Sequence, residues 1–284
     1  MTRIDQALVY ATQALSTAEA ENPRVDARAL LKHLLTCDDR FLFTYPEHLL
    51  TELEWRDYQA SIERRRTGEP VAYITGQRAF WDFTLKCSKA TLIPRPETEL
   101  LVETGLDLVQ EHTANVIDLG TGTGAIALAL AKERPQWRVI GLDKIAGAVE
   151  IAEQNKAMLG LANVEFMQSD WFSAVTATEF NLIVSNPPYV EPDSPYLQQG
   201  DLRFEPSSAL SAAQDGYADI FHIIEQAPDY LANKGWLMIE HGFMQAPLIQ
   251  TQFELKGFTD VKTLTDLQQL PRVTIGRWHK PHKR

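Results

Sequence analysis

Val116-Ile117-Asp118-Leu119-Gly120-Thr121-Gly122-Thr123-Gly124-Ala125 is the stretch that decides the fold. A short apolar run meets a glycine-rich turn, and Ile126 to Glu133 continue with helical character, so the segment reads strand, turn, helix. Glycines belong in such a turn because the chain must reverse sharply and let a ligand reach its backbone. Asp143 ends the next apolar run, about 20 residues on, where a carboxylate can accept hydrogen bonds from ribose hydroxyls. Gly120, Gly122 and Ala125 also satisfy the G-x-G-x-x-G/A spacing of a dinucleotide-binding turn. A nucleoside-containing cofactor follows, and its identity stays open. A ligand-free turn is the weaker reading, because three alternating glycines cost folding entropy that such a turn does not require.

Around this unit, further short apolar runs are separated mostly by helical stretches. They are Arg138 to Leu142, Val164 to Met167, Asn181 to Val184 and Trp236 to Ile239. That alternation predicts a parallel sheet covered on both faces. Arg272 to Arg277 follows the candidate strand Val261 to Leu264 after a short connection, which predicts an antiparallel last pair. Residues 1–72 read as a small helical domain: Ile4, Ala7, Leu8, Ala11 and Leu15 share one helical face, and Ala27, Leu30, Leu31, Leu34 and Leu35 another. Asp26 is a plausible cap for the second helix. A third helix spans about Glu52 to Arg66. Residues 73–92, with aromatic Ala79 to Leu85, predict a β-hairpin linker, and residues 93–284 the α/β domain.

The chain has 284 residues, 44% of them hydrophobic, and a net charge of -11. Acidity opposes a broad grip on a phosphate backbone, so no direct nucleic-acid substrate is expected. Arg64-Arg65-Arg66 and His279 to Arg284 are read as a solvated helix face and a frayed end. No apolar run is long enough to span a membrane, and Met1 to Tyr10 lacks the apolar core of a signal peptide, so the expected compartment is the cytoplasm. Cys37 and Cys87 lie far apart with no His/Cys cluster, so neither a disulfide framework nor a metal site is expected.

Two constellations carry chemistry. Asp170-Trp171, after the third strand of the α/β domain, suits the edge and face of an adenine ring, although a tryptophan there serves equally well as a rim or core aromatic. Ser185-Asn186-Pro187-Pro188-Tyr189 directly follows the strand Asn181 to Val184, on the edge of an open α/β sheet where ligands bind. Two prolines end the strand and remove two backbone donors, leaving their carbonyls as acceptors. Asn186 adds a side-chain acceptor and Tyr189 a flat ring. The set suits a planar nitrogen with two hydrogens: one held by Asn186, one by the Pro187 carbonyl, the plane stacked on the ring. Hydride transfer has no use for that arrangement, which weighs against the dinucleotide reading.

The chain resembles the protein-(glutamine-N5) methyltransferases of class I peptide release factors, the HemK/PrmC family. The resemblance runs through Gly68-Glu69-Pro70, Tyr73 to Gly76, Ile93-Pro94-Arg95-Pro96-Glu97-Thr98-Glu99, the glycine loop, Asn186 to Tyr189, Phe204-Glu205-Pro206 with Ala209-Leu210, Glu240-His241-Gly242 and Val273 to Arg277. It implies a Rossmann-like, seven-stranded class I methyltransferase domain behind a helical substrate-docking domain and a hairpin linker. It implies S-adenosyl-L-methionine, converted to S-adenosyl-L-homocysteine, bound by Gly120, Thr121, Gly122, Thr123, Gly124, Asp143, Trp171 and Asn186. It implies substrate glutamine of a Gly-Gly-Gln motif held by Asn186, Pro187, Pro188 and Tyr189, with Asn186, Pro187 and Tyr189 serving the chemical step. Adenine-N6 or guanine-N2 nucleic-acid methylation, or glutamine methylation of a ribosomal protein, are the alternative activities. No role is assigned to Arg95, Glu97, Glu240 or His241. Gln268-Gln269-Leu270-Pro271 departs from the family, whose members tend to carry a glycine-containing acidic or Asn-rich turn there.

Overall fold

In the computed structural model, which describes residues 2–18, 22–176 and 179–281, the helix-period sequence forms α1 (Ile4–Ser16) and α2 (Pro23–Leu35). A short α3 (Asp39–Thr44), α4 (Glu52–Arg66) and a single-turn α5 (Val71–Thr75) follow. Asp38 caps α3 by accepting the Phe41 N–H at 2.8 Å, and Thr51 and Glu54 form a reciprocal capping box on α4. Asp26 is not the expected cap: α2 begins earlier, with Pro23 in its first turn, where the missing N–H costs nothing. Asp26 instead accepts from Arg65 Nε at 2.7 Å, and Arg65 Nη1 also reaches Asp201 Oδ1 at 2.9 Å. The Arg65 side chain is only 11% exposed, against 48% for Arg64 and 46% for Arg66. The basic run is therefore a solvated face at two positions and a buried ion network at the middle one. Ala7, Leu15, Leu30, Leu31, Tyr58 and Ile62 close the core of these helices.

Tyr73 to Thr75, expected to open the hairpin linker, are helical, because Pro70 starts α5 and Gly76, left-handed at φ 69°, stops it. The hairpin comes next as β1 (Gln77–Phe80) and β2 (Phe83–Lys86). Beyond it run α6 (Glu99–Leu108), β3 (Asn115–Leu119), α7 (Ala125–Glu133), β4 (Arg138–Asp143), α8 (Ala146–Leu159), β5 (Val164–Gln168) and β6 (Phe180–Ser185). The chain ends with α9 (Ser207–Leu210), α10 (Ala218–Tyr230), β7 (Leu231–Glu240), α11 (Ala246–Lys256), β8 (Thr259–Thr265) and β9 (Pro271–Arg277).

β3 to β9 form one seven-stranded sheet in the order β5-β4-β3-β6-β7-β9-β8. β4 and β6 flank β3 in parallel, β7 runs parallel to β6, and β9 is antiparallel to both β7 and β8. A dinucleotide-binding sheet has the order 3-2-1-4-5-6, with no reversed strand wedged beside the last one. Strand side chains alternate between two cores: Val116, Val139, Leu182 and Met238 on one side, Ile117, Ile140, Ile183 and Leu237 on the other. By contacts the chain divides into two compact units, Met1–Gln77 with Gln199–Phe204, and Arg78–Gln198 with Glu205–Arg284.

Candidate active site

The strands β3, β4 and β6 all deliver their carboxyl ends to one cavity of about 340 Å³. Its lining includes Gly120, Thr121, Gly122, Thr123, Asp143, Trp171, Asn186 and Pro188, so most of the residues singled out in the sequence share one cavity, while Gly124, Pro187 and Tyr189 do not line it. Gly124 initiates α7 from a left-handed φ of 84°. Pro187 is buried beneath the turn, and Tyr189 sits behind it, against Glu240. Thr91, Arg95, Thr98, Lys144, Ser208 and Asp219 complete much of the wall, and the sequence assigned none of them a role.

The loop is tied down at each end. Gly120 and Gly122 take left-handed φ values of 73° and 56°, Thr121 N–H donates to Leu142 O at 2.8 Å, and Gly122 N–H donates to Asp143 Oδ2 at 2.9 Å. A Cβ at Gly120 would lie 3.6 Å from the Trp171 ring, so the indole closes directly over the bare backbone. Trp171 holds a positive φ of 49°, and its carbonyl accepts the Ser169 hydroxyl at 2.7 Å. Burial raises the Asp143 carboxyl above its ordinary range, and the backbone N–H groups of Ile145, Gly122 and Lys144 oppose that rise. Asp118 is fully buried; burial pushes it up to about 7 although the Thr121 hydroxyl donates to it at 2.6 Å.

The acceptor side is equally fixed. Ser185 Oγ donates to Leu119 O at 2.7 Å, clamping the ends of β6 and β3 together. Asn186 Nδ2 donates to Thr98 Oγ1 at 3.1 Å, which turns the carboxamide so that Oδ1 is left to accept. Tyr189 is held by its backbone: its N–H donates to Leu210 O at 3.2 Å, and its carbonyl accepts Gln245 Nε2 at 3.1 Å. Gly216 abuts that carbonyl so closely that a Cβ there would fall 2.2 Å from it. Burial raises the Tyr189 phenol well above its ordinary range, so the ring is neutral. Glu205, from the FEP stretch, is buried and accepts the Ile93 N–H at 2.9 Å and the Arg95 guanidinium, fixing the strap that carries Thr98. His241 is buried, bonded to Thr274 Oγ1 at 2.8 Å, and burial lowers its pKa. Among the described residues no His, Cys, Asp and Glu group could hold a metal ion, and no helix is long and apolar enough to cross a membrane.

The charged residues of the wall are Asp143, Asp170 and Asp219 against Arg95 and Lys144, and Lys144 is paired with Asp170 at 3.0 Å. An acid-leaning cavity suits a cationic nucleoside such as a sulfonium and disfavours a pyrophosphate. The solved structures agree on the fold. A methyltransferase from Pyrococcus furiosus superposes with a TM-score of 0.54 at 17% identity, over 78% of this chain and 98% of that one. The Thermus thermophilus 16S rRNA N2 G1207 methyltransferase, solved with AdoMet and guanosine, gives 0.50 at 18%, over 71% of this chain and 49% of that one. Fold and site together define an S-adenosylmethionine-dependent methyltransferase of class I. Residues 6–76 match the PrmC N-terminal domain, and residues 96–198 the methyltransferase small domain. Curated relatives span nearly the whole chain: the release factor glutamine methyltransferase of Shewanella oneidensis is 46% identical over 97% of this chain and 96% of its own length. That of Escherichia coli is 47% identical over 94% and 97%. The chain belongs to the release factor glutamine methyltransferase family.

Proposed function

We propose that this enzyme methylates the side-chain amide nitrogen of the glutamine in the Gly-Gly-Gln motif of class I release factors, using S-adenosylmethionine. The observation that carries the acceptor assignment is the Asn186 carboxamide, pinned by Thr98 at 3.1 Å with its oxygen unspent at the rim of the nucleoside cavity. S-adenosylmethionine supplies an electrophilic methyl on a sulfonium. Asp143 would accept from its ribose hydroxyls, Trp171 would cover its adenine, and the glycine loop would let it lie on the backbone. Asn186 Oδ1 and the Pro187 carbonyl each accept one N–H of the substrate amide, and Tyr189 stacks on its plane. These acceptors draw density toward a nitrogen whose lone pair is otherwise delocalised, and they favour its pyramidalisation as the N–C bond forms and the C–S bond breaks. The nitrogen then carries the positive charge and sheds its proton, so no strong base is needed beforehand.

The helical domain of residues 1–72 is the docking module for the release factor in this reading, the hairpin of residues 73–92 its connection, and the cytoplasm its compartment. A nucleic-acid acceptor is disfavoured by the net charge of -11. The test is transfer of labelled methyl to a purified class I release factor, with mass spectrometry placing the label on the Gly-Gly-Gln glutamine. Label on RNA, or on a ribosomal protein alone, would replace the reading.

A further inference from the structure

Glu240 ends β7, is 2% exposed, and lies one residue beyond the Ser185↔Ile239 pair, beside the start of the NPPY turn. It makes no ion pair among the described residues: Arg272, the cation facing it, is engaged by Asp266 at 2.9 Å. Its Oε2 is buried without a hydrogen-bond partner, and its Oε1 is 3.5 Å from the Tyr189 hydroxyl. The other groups facing it are the Thr98 hydroxyl and Glu97, both from the Pro96–Thr98 turn. Burying a carboxylate on such terms costs free energy that a Gln or Leu would not cost. Thr98 joins the two sides, since its hydroxyl oxygen accepts from Asn186 and the same hydroxyl faces the Glu240 carboxyl.

We propose that Glu240 and Thr98 are positioning residues for methyl transfer: Glu240 steadies Tyr189 and the Thr98 hydroxyl, and Thr98 fixes the Asn186 carboxamide with Oδ1 toward the acceptor amide. The proposal rests on the reading of Asn186 as the amide acceptor. Without Thr98, the Asn186 side chain can rotate and present its NH2 to the substrate's own N–H donors, which repel it. The cost falls on the chemical step, because a displacement of the order of 1 Å in a reacting group costs up to about 100-fold in rate.

Single-turnover methyl transfer to a release factor, alongside S-adenosylmethionine affinity by calorimetry, tests this in the full-length enzyme. Thr98→Val should slow transfer about 10- to 100-fold with cofactor affinity little changed, and Thr98→Ser should restore most of the rate. Thr98→Val added to Asn186→Ala should cost nothing further, because Thr98 acts through Asn186. Glu240→Leu should slow transfer, with Glu240→Gln recovering much of it through its retained acceptor oxygen. Wild-type transfer by folded Thr98→Val, or losses that multiply in the double variant, overturns the proposal. Should Asn186→Ala itself transfer at the wild-type rate, the amide cradle falls first. Should Asn186→Ala fail while Thr98→Val is unimpaired, the cradle stands and only the positioning assignment is lost.

Discussion

Asn186 donates to a threonine hydroxyl, and that hydroxyl can turn and donate in the other direction. Asn186→Asp should therefore retain measurable transfer, with an oxygen still toward the substrate and its second oxygen facing the Thr98 proton. Asn186→Ala should lose about 10²–10³ in single-turnover rate. A further expectation at single residues concerns acidity. Burial raises Glu240 from 4.5 to about 7. Between those values the folded chain holds a proton that the unfolded chain has released, so stability falls as pH rises through the window. Asp118, raised from 3.8 to about 7, pulls in the same direction. Glu240→Gln removes its own slope, so it should gain on the order of 2 kcal/mol relative to wild type between pH 5 and pH 8, read from urea midpoints. Asn186, Asp143 and the glycine loop were legible in the sequence because each sits at a strand end, where chain order alone gives the address. Thr98 was not, since its bond to Asn186 bridges 88 positions and a lone threonine after Pro-Glu carries no periodic signal. Gly216 was hidden for the same reason: its use, a close approach to the Tyr189 carbonyl, exists only in three dimensions.

Elements were read most reliably where a period repeats. All seven strands of the large sheet fall where the apolar runs place them, and the reversed last pair follows from its short connection. Short helices were lost: α3 and α5 have six and five residues, too few to show a face, and are set by the Asp38 cap and by the Pro70 to Gly76 frame. The turn at Gln268 to Pro271, a departure from the family, is accommodated by Asp266, whose carboxylate accepts the Gln268 and Leu270 N–H groups at 2.8 and 3.0 Å, while Gln269 takes a left-handed φ of 63°. The basic run closing α4 was misjudged because exposure along a helix depends on what packs beside it, not on charge. Arg65→Ala should destabilise by about 2–4 kcal/mol, since it strands two carboxylates, one of them 14% exposed. Arg64→Ala should cost less than Arg65→Ala, since Arg64 is 48% exposed and bonds one carboxylate, Glu69, rather than two. Amide exchange over α2 and α4 separates the two outcomes.

At the level of the whole molecule, the cavity at the strand ends is built entirely from residues of the second unit. A fragment beginning at Arg78 should bind S-adenosylmethionine with near-native affinity by calorimetry and lose transfer to an intact release factor if the helices dock that partner. Full transfer by the fragment would give the helices another task. The fragment cannot begin near residue 90, because Phe80, Phe83 and Leu85 of the hairpin are buried in the core of the sheet domain. The chain also does not pass from one unit to the other once: Gln199–Phe204 returns to the first unit, where Asp201 meets Arg65 across 136 positions. During synthesis on the ribosome, Arg65 is made long before that carboxylate exists. At elongation speeds of about 5–20 residues per second, the first unit waits roughly 7–27 seconds, with Asp26 and the Gly68 and Glu69 carbonyls answering its buried arginine. The helices of the first unit are thus made before the sheet domain, yet their fold is completed only after the turn at Asn186 has left the ribosome.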